Sequence, residues 1–189
     1  MSQNSAFTTD IIVDRNQNYA SKIHSPLPML HDANGVLRKG TGMLVVSCVD
    51  PRIIPESFLG FRIPGENPLA IPVIRVIGGR ARHALVNIVG LDAVFGIDTV
   101  VIIHHTDCGL THNTEESIRT SLKTMFPGKQ ETIENTEFGA IENLEQSVVD
   151  DIQFLKYSPL IRKEIVLKGF VYDIHTGKLK EICKLGEHS

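Results

Sequence analysis

Apolar residues along this chain recur in two rhythms, one typical of helices and the other of buried strands. Between residues 81 and 95 the apolar side chains fall three and four positions apart, which places them on one face of a helix. Residues 99–103 are instead a continuous β-branched run, as expected for a strand that is buried on both faces. A helix followed directly by a fully buried strand is typical of an α/β protein.

The same two patterns, together with turn residues, predict ten elements. We predict helices over residues 9–23, 53–59, 81–95, 115–125 and 141–154. We predict strands over residues 43–47, 71–77, 99–103, 165–171 and 179–183, the last two joined as a hairpin. The predicted fold class is therefore α/β, with a central, mostly parallel β-sheet that has an antiparallel edge strand and is flanked by helices.

The length of 189 residues, 42% of them hydrophobic, is ordinary for one well-filled domain. No linker divides the chain, so we predict a single α/β domain over residues 1–189, with an N-terminal helical arm at about 7–25.

Charge and cysteine content narrow the choice of partners and compartment. The net charge of −3 gives no reason to expect a nucleic acid partner, and no run of eighteen apolar residues predicts a membrane span. Three cysteines without a secretory signal favour reduced thiols over disulfides. We expect a cytoplasmic protein.

Two predicted strands end in groups that bind metals. Cys48 follows the strand at 43–47, and His105 and Cys108 follow the strand at 99–103. Because parallel strands bring their carboxyl ends to one edge of a sheet, these side chains can converge although they are distant in sequence. Two thiolates and an imidazole suit Zn²⁺, and three protein ligands leave a fourth position for water, as in catalytic zinc sites.

A carboxylate and a guanidinium stand on the loop that follows Cys48. Asp50 beside Arg52 should stay ionised and be held in orientation by charge-assisted hydrogen bonds. Such a carboxylate can accept a hydrogen bond from a water molecule on zinc, whose pKa the metal lowers to about 7. The chain therefore carries the parts needed to make a hydroxide nucleophile at neutral pH.

The two motifs together resemble those of the β-class carbonic anhydrases. Cys48-Val49-Asp50-Pro51-Arg52 is similar to the Cys-x-Asp-x-Arg motif of that family, and His105-Thr106-Asp107-Cys108 to its His-x-x-Cys motif. The resemblance runs from about residue 18 to residue 179. It implies that Cys48, His105 and Cys108 bind zinc, that Asp50 and Arg52 are catalytic, and that the chain forms a homodimer or homotetramer. The implied reaction is attack of zinc-bound hydroxide on CO2 to give bicarbonate.

One segment departs from the family pattern. Many members read Arg-Asn-Ala-Gly-Asn after the second strand, where this chain reads Arg75-Val76-Ile77-Gly78-Gly79. We expect Val76 and Ile77 to make the cleft less polar. Carbonyl sulfide hydrolases resemble the family closely and can carry a segment like His104 to Gly109, so hydrolysis of COS at the same zinc site is the alternative function.

Further interpretations stay open from the sequence alone. A non-catalytic protein that holds zinc only as a structural pin is a further alternative, which predicts a closed fourth coordination position and loss of the fold on chelation. His104 is expected to be a structural strand-end residue, and Asp107 either supports a metal ligand or forms a turn. Arg75 either lines the cleft or pairs with a carboxylate.

Overall fold

A computed structural model describes residues 9–26, 42–61 and 71–185 of the chain. The helices are α1 (Thr9–Lys22), α2 (Pro55–Phe58), α3 (Ala81–Phe95), α4 (Glu115–Met125), α5 (Gln130–Glu134) and α6 (Leu144–Tyr157). The strands are β1 (Met43–Cys48), β2 (Val73–Val76), β3 (Thr99–His105), β4 (Val166–Tyr172) and β5 (Leu179–Leu185). Short 3-10 turns follow β2 at Ile77–Gly79 and β3 at Gly109–Thr111.

The five strands form one sheet in the order β2-β1-β3-β4-β5. β1 runs parallel to both β2 and β3, and β3 runs parallel to β4. β5 pairs antiparallel with β4 at one edge. The predicted fold class, a mostly parallel sheet with an antiparallel edge strand and flanking helices, is confirmed.

Both faces of the central strands are buried, which explains their uninterrupted apolar sequences. Val46 and Ile102 face a core that includes Ile88 of α3 and Ile152 of α6. On the opposite face, a second cluster is built on the following residues: Val45, Val101, Ile103 and Phe61. A strand covered on two sides has no position at which a polar side chain would reach water, so alternation disappears from its sequence.

The observed ends of several elements differ from the predicted ones for local reasons. α2 begins at Pro55 rather than residue 53, because a residue that precedes proline is disfavoured in the helical region, and Ile54 is non-helical with φ −124° and ψ 84°. α6 begins at Leu144 because the side chain of Asn143 caps it by accepting a hydrogen bond from the amide of Gln146. The five-residue helix α5 was not predicted.

The chain divides into two compact units, Met1–Arg38 and Lys39–Ser189, and each is described by itself. In the first unit the structure describes α1, which lies within the predicted helical arm; residues 7 and 8 of that arm lie outside the described residues. The single-domain organisation with an arm stays a prediction. Within the part of the chain that the structure describes, no helix is both long and apolar enough to cross a membrane.

Candidate metal centre

The metal-binding residues predicted from the sequence lie on two neighbouring strands at the centre of the sheet. Cys48 is the last residue of β1, His105 is the last residue of β3, and β1 pairs with β3 in parallel. The chain passes from β1 outward to β2 on one side and from β3 outward to β4 on the other. Such a reversal of strand order opens a crevice at the carboxyl ends of the two strands, where α/β proteins bind their ligands.

Gly79 allows the chain to pass close over the ends of these two strands. Its φ is +70°, and a Cβ placed there would lie 2.9 Å from the carbonyl oxygen of Ile103 and 3.3 Å from the amide nitrogen of Cys48. Any other residue would be strained in this conformation and would push the strand ends apart. Gly79 therefore lets the backbone after β2 lie directly against the ends of the two strands that carry metal ligands.

The three candidate ligands come together with spacings that fit one tetrahedral ion. The ligand atoms of Cys48, His105 and Cys108 all lie within 4.8 Å of one another, and all three residues are buried. The two sulfur atoms are 3.9 Å apart. Two thiolates bound to one tetrahedral zinc at about 2.3 Å each would be about 3.8 Å apart. The residues present therefore fit a zinc ion.

The imidazole of His105 is oriented so that one nitrogen is left for a metal. Its Nδ1 lies 2.9 Å from the carbonyl oxygen of Thr106, to which it can donate a hydrogen bond. Its Nε2 is buried and has no hydrogen-bond partner within the described part of the chain. A buried polar atom without a partner is costly, and histidines that bind a metal usually donate their other ring N–H to a carbonyl or carboxylate oxygen.

The two thiols are electrostatically coupled in a way that also suits a metal. The hydrogen bond from the Cys108 thiol lowers the pKa of Cys48 well below its ordinary value, while the contact with Cys48 raises the pKa of Cys108. One thiolate therefore forms readily, and the second proton can leave when a cation takes the place of the shared hydrogen. Thiolates, not thiols, are the ligands of zinc.

Asp50 and Arg52 form the predicted dyad beside the three ligands. Arg52 donates from Nε at 3.0 Å and from one terminal nitrogen at 2.7 Å to the two carboxylate oxygens of Asp50. This interaction, the main cause, lowers the pKa of Asp50 to about 2. A carboxylate oxygen of Asp50 lies 4.0 Å from Nε2 of His105. The carboxylate is thus ionised, adjacent to the metal centre and held by Arg52.

Asp107 provides a second anchor for Arg52. Its carboxylate accepts a hydrogen bond of 2.8 Å from Arg52, and its carbonyl oxygen accepts another of 2.8 Å. Its other carboxylate oxygen lies 2.7 Å from Nε2 of His112. Among the described residues, Asp107 is the one non-glycine residue with a positive φ, 55°. Of the two roles left open from sequence, Asp107 fills the turn role, because it forms the turn between two ligands; its side chain holds Arg52 rather than a metal ligand.

A family comparison agrees with this geometry. Residues 43–179 match the family model described as carbonic anhydrase, which is more than half of the chain. The chain belongs to the carbonic anhydrase family. Its relatives include β-carbonic anhydrase 1 of Mycobacterium tuberculosis, 26% identical over 175 residues that cover 92% of this chain and 97% of that protein. The resemblance to the β-class enzymes, inferred from the two motifs, is confirmed.

Other relatives are named for a substrate other than CO2. A carbon disulfide hydrolase of Acidithiobacillus thiooxidans is 26% identical over 151 residues, covering 72% of this chain and 74% of that protein.

Among solved structures, the carbonic anhydrase of Streptococcus mutans has a TM-score of 0.74 and 27% identity, covering 92% of this chain and 96% of its own. A tetrameric β-carbonic anhydrase of Sordaria macrospora has a TM-score of 0.57 and 18% identity, with 94% and 95% covered, and shares the fold.

The segment that departs from the family pattern has three separate roles. Arg75 donates hydrogen bonds to the carbonyl oxygens of Cys48 at 3.0 Å and Asp50 at 2.6 Å, so it holds the ligand loop rather than a carboxylate. Ile77 lines the cleft, as predicted. Val76 packs against the core instead, so the prediction that it shapes the cleft is wrong. Val76 ends the extended strand whereas Ile77 begins the next turn, and the two side chains leave the backbone in different directions.

The cleft beside the metal centre has a volume of 610 Å³ and a largely apolar wall. Cys48, Asp50 and Cys108 are among the residues that line it. The apolar residues that line the rest include Ile77, Leu110, Ile118, Leu122 and Phe138. A cleft of this composition favours small apolar molecules over charged ones.

A buried polar network behind the metal centre was missed by sequence reasoning. Nε2 of His104 lies 3.0 Å from the carboxylate of Asp151, and its Nδ1 lies 2.8 Å from the hydroxyl of Ser147. Asp151 also pairs with Arg80 at 3.0 Å, and all of these residues are buried. The available signal was a carboxylate at an apolar position of α6, one turn from Val148 and Leu155. His104 is thus structural, as expected.

Proposed function

We propose that this chain is a zinc-dependent β-class carbonic anhydrase that hydrates CO2 to bicarbonate, with Cys48, His105 and Cys108 as zinc ligands. The observation that carries the proposal is the convergence of three ligand atoms within 4.8 Å at the sheet edge, next to an ionised Asp50. The unpartnered Nε2 of His105 and the sulfur spacing support zinc over a hard cation, which would prefer oxygen ligands.

Bound in this position, zinc would supply Lewis acidity and lower the pKa of a coordinated water molecule to about 7. The chain's own residues would orient the reactants. Asp50 is an acceptor only, so it would take a hydrogen bond from the attacking water and direct the oxygen lone pair toward the carbon of CO2. Arg52 would keep the Asp50 carboxylate ionised and facing the cleft, and Asp107 would keep Arg52 in place.

Hydrolysis of a sulfur-containing analogue, COS, is the second candidate function. COS and CS2 are linear electrophiles like CO2, but sulfur is larger and a weaker hydrogen-bond acceptor. The apolar lining of the cleft, to which Ile77 contributes, favours such substrates because sulfur is less polar than oxygen. Several relatives are named carbon disulfide hydrolases, which is consistent with this alternative.

We also propose that the chain works as a homodimer or homotetramer. β5 is an edge strand of the described sheet, and an edge strand can pair with a strand of a second copy. A structural neighbour is described as tetrameric. Sedimentation at several protein concentrations tests this proposal, and a monomer at all of them would contradict it. The cytoplasmic location stays a prediction from the sequence.

Zinc content and turnover of matched cysteine variants test the function. We expect one zinc per chain in the wild type by elemental analysis, and CO2 hydration measurable by stopped-flow pH change. Cys48→Ser should lose both, whereas Cys183→Ser should keep both because Cys183 lies on β5, away from the metal centre. A wild type without stoichiometric zinc would refute the proposal.

The substrate and the catalytic role are separated by two further measurements on the same preparation. Rates with CO2 and with COS at one pH decide between the two candidate reactions. A protein that binds zinc and turns over neither substrate would instead be the non-catalytic zinc protein, with zinc as a structural pin. That alternative also predicts that removal of zinc by a chelator unfolds the protein, seen as loss of the folded circular dichroism signal, because a structural zinc contributes to folding directly.

A further inference from the structure

The cleft has one wall without regular secondary structure, formed by residues 137–140, here called the wall loop. Phe138 is its half-buried aromatic residue and lines the cleft together with Cys48 and Cys108. A segment without helix or strand normally leaves its backbone groups to water and moves more than the elements around it. The wall loop differs, because its backbone is bound by side chains of α3 and α4 and by that of Arg80, the residue that precedes α3.

Glu115 of α4 binds three consecutive amides of the wall loop. Its carboxylate accepts hydrogen bonds from Gly139 at 2.6 Å, Ala140 at 2.9 Å and Phe138 at 3.2 Å. Burial alone would raise the pKa of Glu115, but these three donors lower it overall, so the carboxylate is ionised. Hydrogen bonds to an ionised group are stronger than neutral ones.

Other side chains bind the carbonyl oxygens of the same segment. Arg80 donates to the carbonyl oxygen of Gly139 at 3.2 Å and to that of Ala140 at 3.5 Å. His83 of α3 lies 3.1 Å from the carbonyl oxygen of Glu137. The loop is thus held on its amide side by an anion and on its carbonyl side by a buried cation.

The packing around Gly139 leaves no room for a side chain at that position. Gly139 is buried with φ +82°, and a Cβ there would lie 2.9 Å from Cγ of Arg80 and 3.2 Å from Cε1 of His83. Arg80 is itself held by Asp151, the same carboxylate that binds His104 next to His105. The wall loop and the strand that carries a metal ligand are therefore fixed to one buried group.

We propose that the wall loop is a rigid, preformed side of the cleft and that Phe138 is a specificity-determining residue, which restricts the cleft to small linear substrates. This inference rests on the proposed function. A three-atom substrate offers few contacts for recognition, and Phe138 lines the same cleft as the candidate ligands Cys48 and Cys108. Selection by size therefore depends on side chains that cannot move aside. Glu115 acts on substrate choice only through the loop and is a positioning residue.

Hydrogen exchange tests the rigidity without using catalysis. In the wild-type holoprotein we expect the amides of Phe138, Gly139 and Ala140 to exchange slowly for a loop. In Glu115→Gln, which keeps the size but loses the charge, their exchange should be at least about 10-fold faster. Glu116→Gln is the matched control: it removes a neighbouring exposed charge in the same helical turn and should leave the three amides unchanged. Equal exchange rates in Glu115→Gln and wild type would show that Glu115 does not hold the wall loop.

Relative rates with substrates of different size test the specificity. The ratio of kcat/KM for a bulky ester probe, 4-nitrophenyl acetate, to kcat/KM for CO2 should rise by about 10-fold or more in Phe138→Ala, because a missing group in an apolar wall has effects of this size. Phe138→Leu should raise the ratio less, and Glu115→Gln should raise it while the ring is still present. Glu116→Gln should not change it.

The outcomes separate this inference from the proposed function. Ratios within twofold of wild type in both Phe138→Ala and Glu115→Gln, with zinc content and circular dichroism unchanged, would overturn the role of Phe138. Slow exchange of the three amides in a wild-type protein that lacks CO2 hydration would instead refute the proposed function while leaving the rigid loop in place.

Discussion

Replacement of Asp151 by asparagine should destabilise the protein more than any neighbouring surface change. Asp151 is fully buried and accepts hydrogen bonds from Arg80 at 3.0 Å, from His104 at 3.0 Å and from the amide of Ala81 at 2.9 Å. Asparagine keeps the volume but removes the charge and turns one acceptor into a donor. The guanidinium of Arg80, whose side chain is 8% exposed, would then have no opposite charge beside it.

The expected magnitude follows from the burial of that uncompensated charge. Removing one partner of a buried ion pair costs about 3–5 kcal/mol of the free energy of unfolding. Arg80 keeps its hydrogen bonds to the carbonyl oxygens of Gly139 and Ala140, so we expect the lower end of this range, about 3 kcal/mol. For a chain of this size that corresponds to a fall in Tm of about 6–12 °C.

Urea denaturation followed by circular dichroism measures this loss, with protein concentration and zinc content held equal in all samples. Asp150→Asn is the control, because Asp150 is the adjacent exposed residue and its replacement should cost less than about 0.5 kcal/mol. A loss below about 1 kcal/mol in Asp151→Asn would show that the network carries little stability and would refute the reasoning.

The stability difference should also depend on pH. The contacts with His104 and Arg80 lower the pKa of Asp151 in the folded protein, although burial, the largest single influence, acts in the opposite direction. A lowered folded-state pKa gives stability that is fully present above the unfolded pKa of about 4 and is lost as the pH falls below it. The gap between wild type and Asp151→Asn should therefore be constant from pH 5 to 7 and shrink below pH 4.

Three further predictions concern the metal centre. Asp50→Asn should keep one zinc per chain by elemental analysis and lose most CO2 hydration, because an amide presents a donor to the attacking water; near-normal turnover would remove Asp50 from the mechanism. Asp107→Asn keeps a side chain that tolerates positive φ but loses the ion pair with Arg52, so kcat should fall by several-fold with zinc retained, and an unchanged kcat would show that Asp50 alone positions Arg52. Because Arg52 lowers the pKa of Asp50 to about 2, the carboxylate should stay ionised as the pH falls to about 4; a carboxyl signal of Asp50 that titrates above pH 4 in NMR spectra would contradict this assignment.

Local patterns predicted most of the regular structure. The helix at Ala81–Phe95 and the helix at Glu115–Met125 were predicted to the residue, because their apolar spacing and their terminal residues act within one element. β3 extends two residues beyond its predicted end, to His105, because backbone pairing with β4 continues past the apolar run. α5 was missed because five residues are too few to show a helical period.

The candidate site was predicted as residue types but not as an arrangement. The sequence alone determined that thiols and an imidazole follow buried strands, since a polar group directly after an apolar run is visible without any neighbour. The tertiary structure alone decided that β1 and β3 are adjacent and that the strand order reverses between them, which brings Cys48 to Cys108. It also decided which distant groups hold the buried charges. Asp151 binds His104, 47 positions away, and Arg80, 71 positions away. Glu115 binds backbone amides 23 to 25 positions away. A buried charge is tolerated only where its partners meet it in space, and sequence periodicity carries no information about such distant pairs.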